Sequence, residues 1–340
     1  MKTVQAVTLG LLAMLGGIAP ALAQDKPVNL KMSTWVPPTH PLQASIQAWI
    51  NDITKESKGT ITGTIYPAEQ LGKAFDHYDM VRDGIADFAY ISPGYQPGRF
   101  PIIAAGQIPF TFADGTAGTA ALDAWYRKYA AREMKDVKVC MSFLHDPGTL
   151  HSRKKIVVPE DMKGLKVRPA HGTMGEFVTL LGGTNVKASA PEARDILERG
   201  VADAISFPWQ SVILFGIDKV VKYHLDVPLY STSYVWAMNK DVYDGMSVAQ
   251  KKVIDDHCTT DWAVKFAGPW ADFEAGGRAK MRAMPDHEVV PVTPDQLAQW
   301  KKAAAPLQKN WADAVRKTGA NPDTVWAELQ ASLTRYKGGL

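Results

Sequence analysis

The arrangements that would make a nucleophile, a phosphate cradle or a metal centre recognisable are missing from this sequence. It has no G-x-S-x-G elbow, no G-x-x-x-x-G-K-[ST] loop and no G-x-G-x-x-G turn. Its eight histidines are scattered, and His145 with His151 is the closest pair, on an apparent loop without metal-ligand spacing. No carboxylate pair is marked out for acid–base work. The residue with the clearest chemical use is Arg168, which follows the strand-like run Leu165–Val167 and precedes Pro169. A guanidinium at the end of a buried strand can present a planar fork to a carboxylate and form two parallel charge-assisted bonds. The same position would also serve a salt bridge to Glu160 or Asp161. Near other strand ends stand Trp35, Tyr95, Phe207, Trp209 and Tyr230, each a possible wall of a ligand cleft and each a possible core residue. With His151, these are the candidate ligand-binding residues. The combination suits binding without catalysis.

The elements that would position them form a weak internal repeat. In the first copy, Leu30–Met32 reads as a strand. A helix follows from Pro41, with Leu42, Ile46, Trp49, Ile50 and Ile53 on one face and Gly59 as its stop. Then come a strand over Thr60–Ile65, a helix over about Lys73–Asp83, Gly84-Ile85-Ala86-Asp87, and a strand running into Ser92-Pro93-Gly94-Tyr95. The second copy has a strand at Leu165–Val167, a helix over about Met174–Leu181, and a short strand at Asn185–Lys187. It continues with a helix opened by a Ser189/Glu192 capping box, Gly200-Val201-Ala202-Asp203, and a strand into Ser206-Phe207-Pro208-Trp209. Such alternation predicts parallel sheets covered by helices, hence two α/β lobes with a cleft beyond the strand ends. The C-terminal third, from Ser247 onward, reads as helical bracing.

Composition agrees. The first residues look like an export signal: Lys2, an apolar run Val7–Leu15 too short to span a bilayer, and Ala21-Leu22-Ala23, with cutting expected after Ala23. The mature chain would have 340 − 23 = 317 residues, enough for two domains. Losing Lys2 takes the net charge from +3 to +2, too balanced to suggest nucleic acid or an anionic membrane. No other segment approaches a membrane helix. Two cysteines, Cys140 and Cys258, could bridge in an oxidising compartment or be buried separately.

The chain resembles the DctP-type solute-binding proteins of TRAP (tripartite ATP-independent periplasmic) transporters. The resemblance covers nearly all of the mature sequence. It rests on Thr34-Trp35 and His40-Pro41, Tyr66-Pro67 with Gln70-Leu71-Gly72, Ile108-Pro109-Phe110-Thr111-Phe112, and the run Pro159–Arg168. Downstream it includes Gly200-Val201-Ala202-Asp203, Trp236–Lys240 and a long helix after Ser247. It implies a two-lobed α/β binding protein with parallel-rich sheets, crossover strands and a long helix spanning both lobes. Lobe I would hold 24–145 and 234–273, and lobe II would hold 146–233 and 274–340. It implies a periplasmic protein that delivers a small organic acid to TRAP membrane subunits, in a family where a cation sometimes helps to hold the carboxylate. A monomer is expected, with no cofactor and no metal-ligand set in the sequence. Arg168 matches the family arginine that pairs with the ligand carboxylate. Two departures stand out. Gly148 fills the place of a further arginine found in many dicarboxylate- and sialate-type members, and Ser206-Phe207-Pro208-Trp209 replaces a polar Glu-Asn-Pro. Both point to a monocarboxylate with an apolar or aromatic body. The competing readings are a dicarboxylate or other carboxylate carrier for an ATP-driven importer or a sensor, and a periplasmic enzyme on the same lobes.

Overall fold

The computed structural model describes residues 25–340, so the expected signal segment and its cleavage point lie outside the described residues. The first copy of the repeat forms β1 (Val28–Ser33), α1 (Pro41–Glu56), β2 (Ile61–Tyr66), α2 (His77–Arg82) and β3 (Phe88–Ile91). Next come α3 (Gly115–Tyr126), α4 (Ala130–Glu133), and the two strands β4 (Val137–Leu144) and β5 (Thr149–Ser152). The second copy is β6 (Lys166–Arg168), α5 (Gly172–Leu180), β7 (Thr184–Asn185), α6 (Ala193–Glu198) and β8 (Ala204–Phe207). It is followed by α7 (Trp209–Leu214), β9 (Tyr223–Leu225), β10 (Ser233–Asn239) and α8 (Lys240–Asp244). The chain closes with α9 (Val248–Asp256), α10 (Thr260–Ala275), α11 (Gly277–Ala283), β11 (Glu288–Val290), α12 (Pro294–Lys317) and α13 (Pro322–Tyr336).

The strands make two sheets, β2-β1-β3-β10-β4 and β11-β9-β5-β8-β6-β7. The repeat maps one onto the other. In each, the first strand of the copy lies between the second and third in parallel, and an antiparallel crossover strand, β10 or β5, joins the third. The Gly-x-Ala-Asp motif has the same work in both lobes. Gly84 and Gly200 turn the chain in the left-handed region at φ 74° and 67°, which glycine adopts without a Cβ penalty. Ala86 and Ala202 are fully buried. The aspartate carboxylates then accept the backbone N–H of the paired first strand, Lys31 to Asp87 at 2.7 Å and Lys166 to Asp203 at 2.9 Å. The aspartate thus closes the helix–strand corner onto the neighbouring strand.

The apolar stripe on α1 buries Leu42, Ile46, Trp49, Ile50 and Ile53 as its 3.6-residue spacing requires. The Ser189/Glu192 contact forms at 2.7 Å, although regular helix starts only at Ala193. The chain passes between the sheets from β4 to β5 and from β9 to β10, with Gly148 bridged to Tyr230 between these two strands of passage, and it returns through the C-terminal helices to β11 and then α13.

The structure details three features that the sequence left approximate or open. The single long helix after Ser247 is divided into α9, α10 and α11, with breaks at His257–Thr259 and Gly276. A helix still spans both lobes, and a second one joins it. α10 packs on α1, α3 and α7. α12 sends the Trp300 Nε1–H to the Val157 carbonyl of lobe II and the Trp311 Nε1–H to the Pro101 carbonyl of lobe I. The segment 274–340 packs on both cores, with Trp300 and Leu307 in one and Trp311 and Val315 in the other. Helix α13 buries Val325, Leu329 and Leu333 with the lobe I core, and Trp125 on α3 donates to the Val325 carbonyl at 3.0 Å. Finally, Cys140 on β4 is joined to Cys258, in the break between α9 and α10, by a disulfide.

Candidate functional site

Between the lobes lies a narrow, nearly closed cleft, walled by Trp35, Tyr95, Tyr234 and Trp270 on one side and by Arg168 and Phe207 on the other, with Tyr230 at the crossover. Arg168 ends β6, the first strand of the lobe II repeat, and is 2% exposed. Its Nε donates to the Ala188 carbonyl at 2.9 Å, one terminal nitrogen to Tyr95 Oη at 3.0 Å, and the other to the Ser206 carbonyl at 3.5 Å. A guanidinium has five N–H groups. Each terminal nitrogen therefore keeps one N–H beyond these bonds, the end-on fork that a carboxylate accepts. The salt-bridge reading has no support: among the described residues no carboxylate pairs with Arg168, and Asp161 instead accepts from the Val157 and Val158 amides. A cation this deeply buried without a counter-charge is costly unless an anion completes it.

Tyr95 joins the lobes directly. Its hydroxyl oxygen accepts from Arg168 and from the Ala190 N–H at 2.9 Å, which leaves its own proton uncommitted by these two bonds. Burial raises the Tyr95 pKa, and the adjacent guanidinium opposes that rise. Trp35 stacks on Tyr90 with centroids 4.6 Å apart, while its buried Nε1–H has no protein partner among the described residues. Phe207 holds its ring 5.7 Å from the Arg168 guanidinium carbon. Such an arrangement can bind an anion with a flat apolar body.

The candidate residues do not all meet. Trp35, Tyr95, Arg168, Phe207 and Tyr230 line the cleft, whereas Trp209 and His151 do not. On a continuing strand, Phe207 and Trp209 would share a face. The strand ends at Phe207, however, and Pro208 leads into α7, which starts at Trp209, so Trp209 turns back toward Asp226 and Glu274. His151 supports the wall from behind. Its Nε2–H donates to the Phe207 carbonyl at 3.0 Å, which makes its Nδ1 the acceptor from His224 Nδ1 at 2.7 Å. His224 Nε2 then accepts from His287 Nδ1 at 2.8 Å. This directional chain uses a lone pair on His151 and on His224, so both imidazoles are neutral in it, and burial lowers the pKa of His151 to about 3 and that of His224 to about 2.

Sequence reading missed His40, Tyr234 and Trp270. His40 carried a signal, the His-Pro start of α1: its Nδ1 accepts the Leu42 N–H at 3.2 Å, which puts the proton of the neutral ring on Nε2. Burial lowers its pKa to about 3. Trp270 sits on α10, and nothing local distinguishes it from a packing residue. Its Nε1–H donates at 2.9 Å to Glu274, which is buried and accepts the Gln210 N–H at 2.7 Å, the Ser211 N–H at 3.1 Å, and the Ser211 hydroxyl. Burial raises the Glu274 pKa to about 7 against these donors. Through Glu274, α10 fixes the start of α7 and hence the Phe207–Trp209 turn.

Residues 32–314 match the family model for DctP, the bacterial extracellular solute-binding proteins of family 7. A curated solute-binding protein from Albidiferax ferrireducens is 28% identical over 177 residues, covering 50% of this chain and 51% of its own length, so the chain spans about half of that relative. A 2,3-diketo-L-gulonate-binding periplasmic protein from Escherichia coli is 28% identical over 58% of this chain and 62% of its own length. Solved structures extend further. A TRAP solute-binding protein from Rhodoferax ferrireducens, crystallised with copurified benzoate, has a TM-score of 0.85 at 27% identity, over 91% of this chain and 98% of its own. A marine metagenome TRAP solute-binding protein specific for aromatic acid ligands, with bound 3-hydroxybenzoate, has a TM-score of 0.85 at 30% identity, over 92% and 99%. One from Bordetella bronchiseptica, with bound (R)- and (S)-mandelate, has a TM-score of 0.85 at 27% identity, over 91% and 99%.

Proposed function

The chain belongs to the bacterial extracellular solute-binding proteins of family 7, and from that premise we propose that it captures a small aromatic monocarboxylate between its lobes and hands it to TRAP membrane subunits. It binds its ligand and does not transform it. The observation that carries the reading is Arg168: a buried guanidinium, free of any carboxylate partner among the described residues, set against an aromatic wall. Gly148 favours a single carboxylate. A Cβ there would meet the Phe207 carbonyl at 2.8 Å and the Tyr230 ring at 3.0 Å, so the place that would hold a further arginine is filled by aromatic packing. The relatives with bound benzoate, 3-hydroxybenzoate and mandelate support the same ligand class.

The protein works outside the cytoplasm as a monomer, cut after Ala23. N-terminal sequencing of periplasmic extract should start at Gln24. Mass spectrometry of ligand released from denatured, freshly purified protein tests the main reading, together with a thermal-shift panel of organic acids. Benzoate-like acids should give the largest shifts. Recovery of a C4 dicarboxylate, or preferential stabilisation by succinate, would overturn the aromatic assignment.

Phe207→Ala should weaken a one-ring aromatic acid by about 1–3 kcal/mol, through lost stacking and buried area. Trp209→Ala should cost less, because its ring stands outside the cleft lining. Calorimetric titration with benzoate-type and short aliphatic acids checks this. Equal losses for both ligand types in Phe207→Ala would remove Phe207 from the specificity argument.

A further inference from the structure

Away from the cleft, α1 meets the junction of α9 and α10, and three potential ligands converge there. Asp52 and Glu56 are four residues apart on α1, so their carboxylates share one helix face. Opposite them is His257, the residue that follows α9, which is 1% exposed. Its Nδ1–H donates to the Val253 carbonyl at 2.8 Å, which leaves the Nε2 lone pair as the free end of the ring. That Nε2 is buried without a hydrogen-bond partner among the described residues and lies 3.5 Å from Asp52 Oδ2. One ligand atom from each of Asp52, Glu56 and His257 lies within 4.8 Å of the others.

We propose that Asp52, Glu56 and His257 form a site for a zinc-class divalent cation that ties α1 to the disulfide-bearing turn at Cys258. Three features favour this over a simple ion pair. A charge-assisted hydrogen bond would draw Nε2 and the carboxylate to about 2.7–2.9 Å. Two ligands on tetrahedral zinc, at about 2.0–2.2 Å from the metal, stand about 3.4 Å apart, close to the separation seen. The ring is also held as metal-bound imidazoles are held, by a backbone carbonyl on its other nitrogen. The Trp262 ring lies against it at 4.8 Å, and the neighbouring cation Lys252 is engaged by Asp256 at 2.6 Å. One imidazole with two carboxylates selects a borderline cation over calcium or magnesium, which prefer all-oxygen ligands.

The test uses the full chain, purified without an affinity tag and stripped with a chelator. Zinc should bind one-to-one and raise the melting temperature, and cobalt(II) should give the visible absorption of a tetrahedral site. Glu56→Gln and Asp52→Asn should each weaken zinc binding by at least about tenfold, as even second-shell changes do. Both carboxylates reach the surface, so the metal-free melting curve and acid binding should be unchanged. His257→Gln should abolish cobalt absorption. If it fails to fold, the Asp52→Asn/Glu56→Gln double variant carries the test. Zinc binding that survives in the double variant, or stabilisation by calcium equal to that by zinc, would overturn the proposal.

Discussion

Arg168→Ala should lose binding of the aromatic acid by roughly 30-fold to several thousand-fold. Truncating one partner of a buried, hydrogen-bonded charge pair typically costs about 2–5 kcal/mol, and about 1.4 kcal/mol is tenfold in affinity. The carboxylate would otherwise be sealed between Tyr95, Trp35 and Phe207 without its counter-charge. Arg168→Lys should also bind poorly. An ammonium keeps the charge but cannot hold the Ala188 carbonyl, Tyr95 Oη and a carboxylate at once from a planar fork. The ligand-free fold should persist, since removing the guanidinium also removes the cost of burying it. Calorimetric titration of wild type and both variants, beside ligand-free melting curves, decides the matter. Comparable affinities across the three would end the assignment of Arg168 to the ligand. A collapse of ligand-free stability would make its role structural.

Removal of the Cys140–Cys258 bridge should have the largest effect on the fold. The cysteines are 118 residues apart, and cross-linking so long a loop restricts the unfolded chain by up to about 5 kcal/mol, with about 2–4 kcal/mol typical in practice. The joint has partial insurance. Arg127 donates to the Cys258 carbonyl at 2.7 Å and to the Cys140 carbonyl at 3.1 Å, with its Nε on Asp123 at 2.5 Å. The Cys140→Ala/Cys258→Ala variant should therefore fold, melt well below wild type, and retain its acid affinity, because neither cysteine lines the cleft. Reductant should lower the wild-type melting temperature and leave the variant unchanged. A variant as stable as wild type would show that the Arg127 contacts alone hold the joint.

Much of this was legible because it is local. The stripe on α1, the left-handed glycines at 84 and 200, and the aspartates that close each corner are consequences of periodicity and backbone sterics, which short segments carry in themselves. Duplication of that phrase implied two similar lobes, and position at a strand end marked Arg168 as facing a cleft. What remained open depended on residues distant in sequence. Whether Cys140 and Cys258 bridge depends on how the α9–α10 break docks on β4. Trp270 and Tyr234 enter the wall only because α10 and β10 return across lobe I, and α13 joins α3 by a packing choice its own amphipathic stripe leaves undecided. Trp209 turned away because one proline converts a strand into a helix there, and the alternation of a strand holds only while the strand lasts. The sequence by itself determined the repeated α/β units and the kind of group offered to a carboxylate. Tertiary structure decided which side chains surround that group, because a cleft between lobes is assembled from long-range contacts that no local pattern encodes.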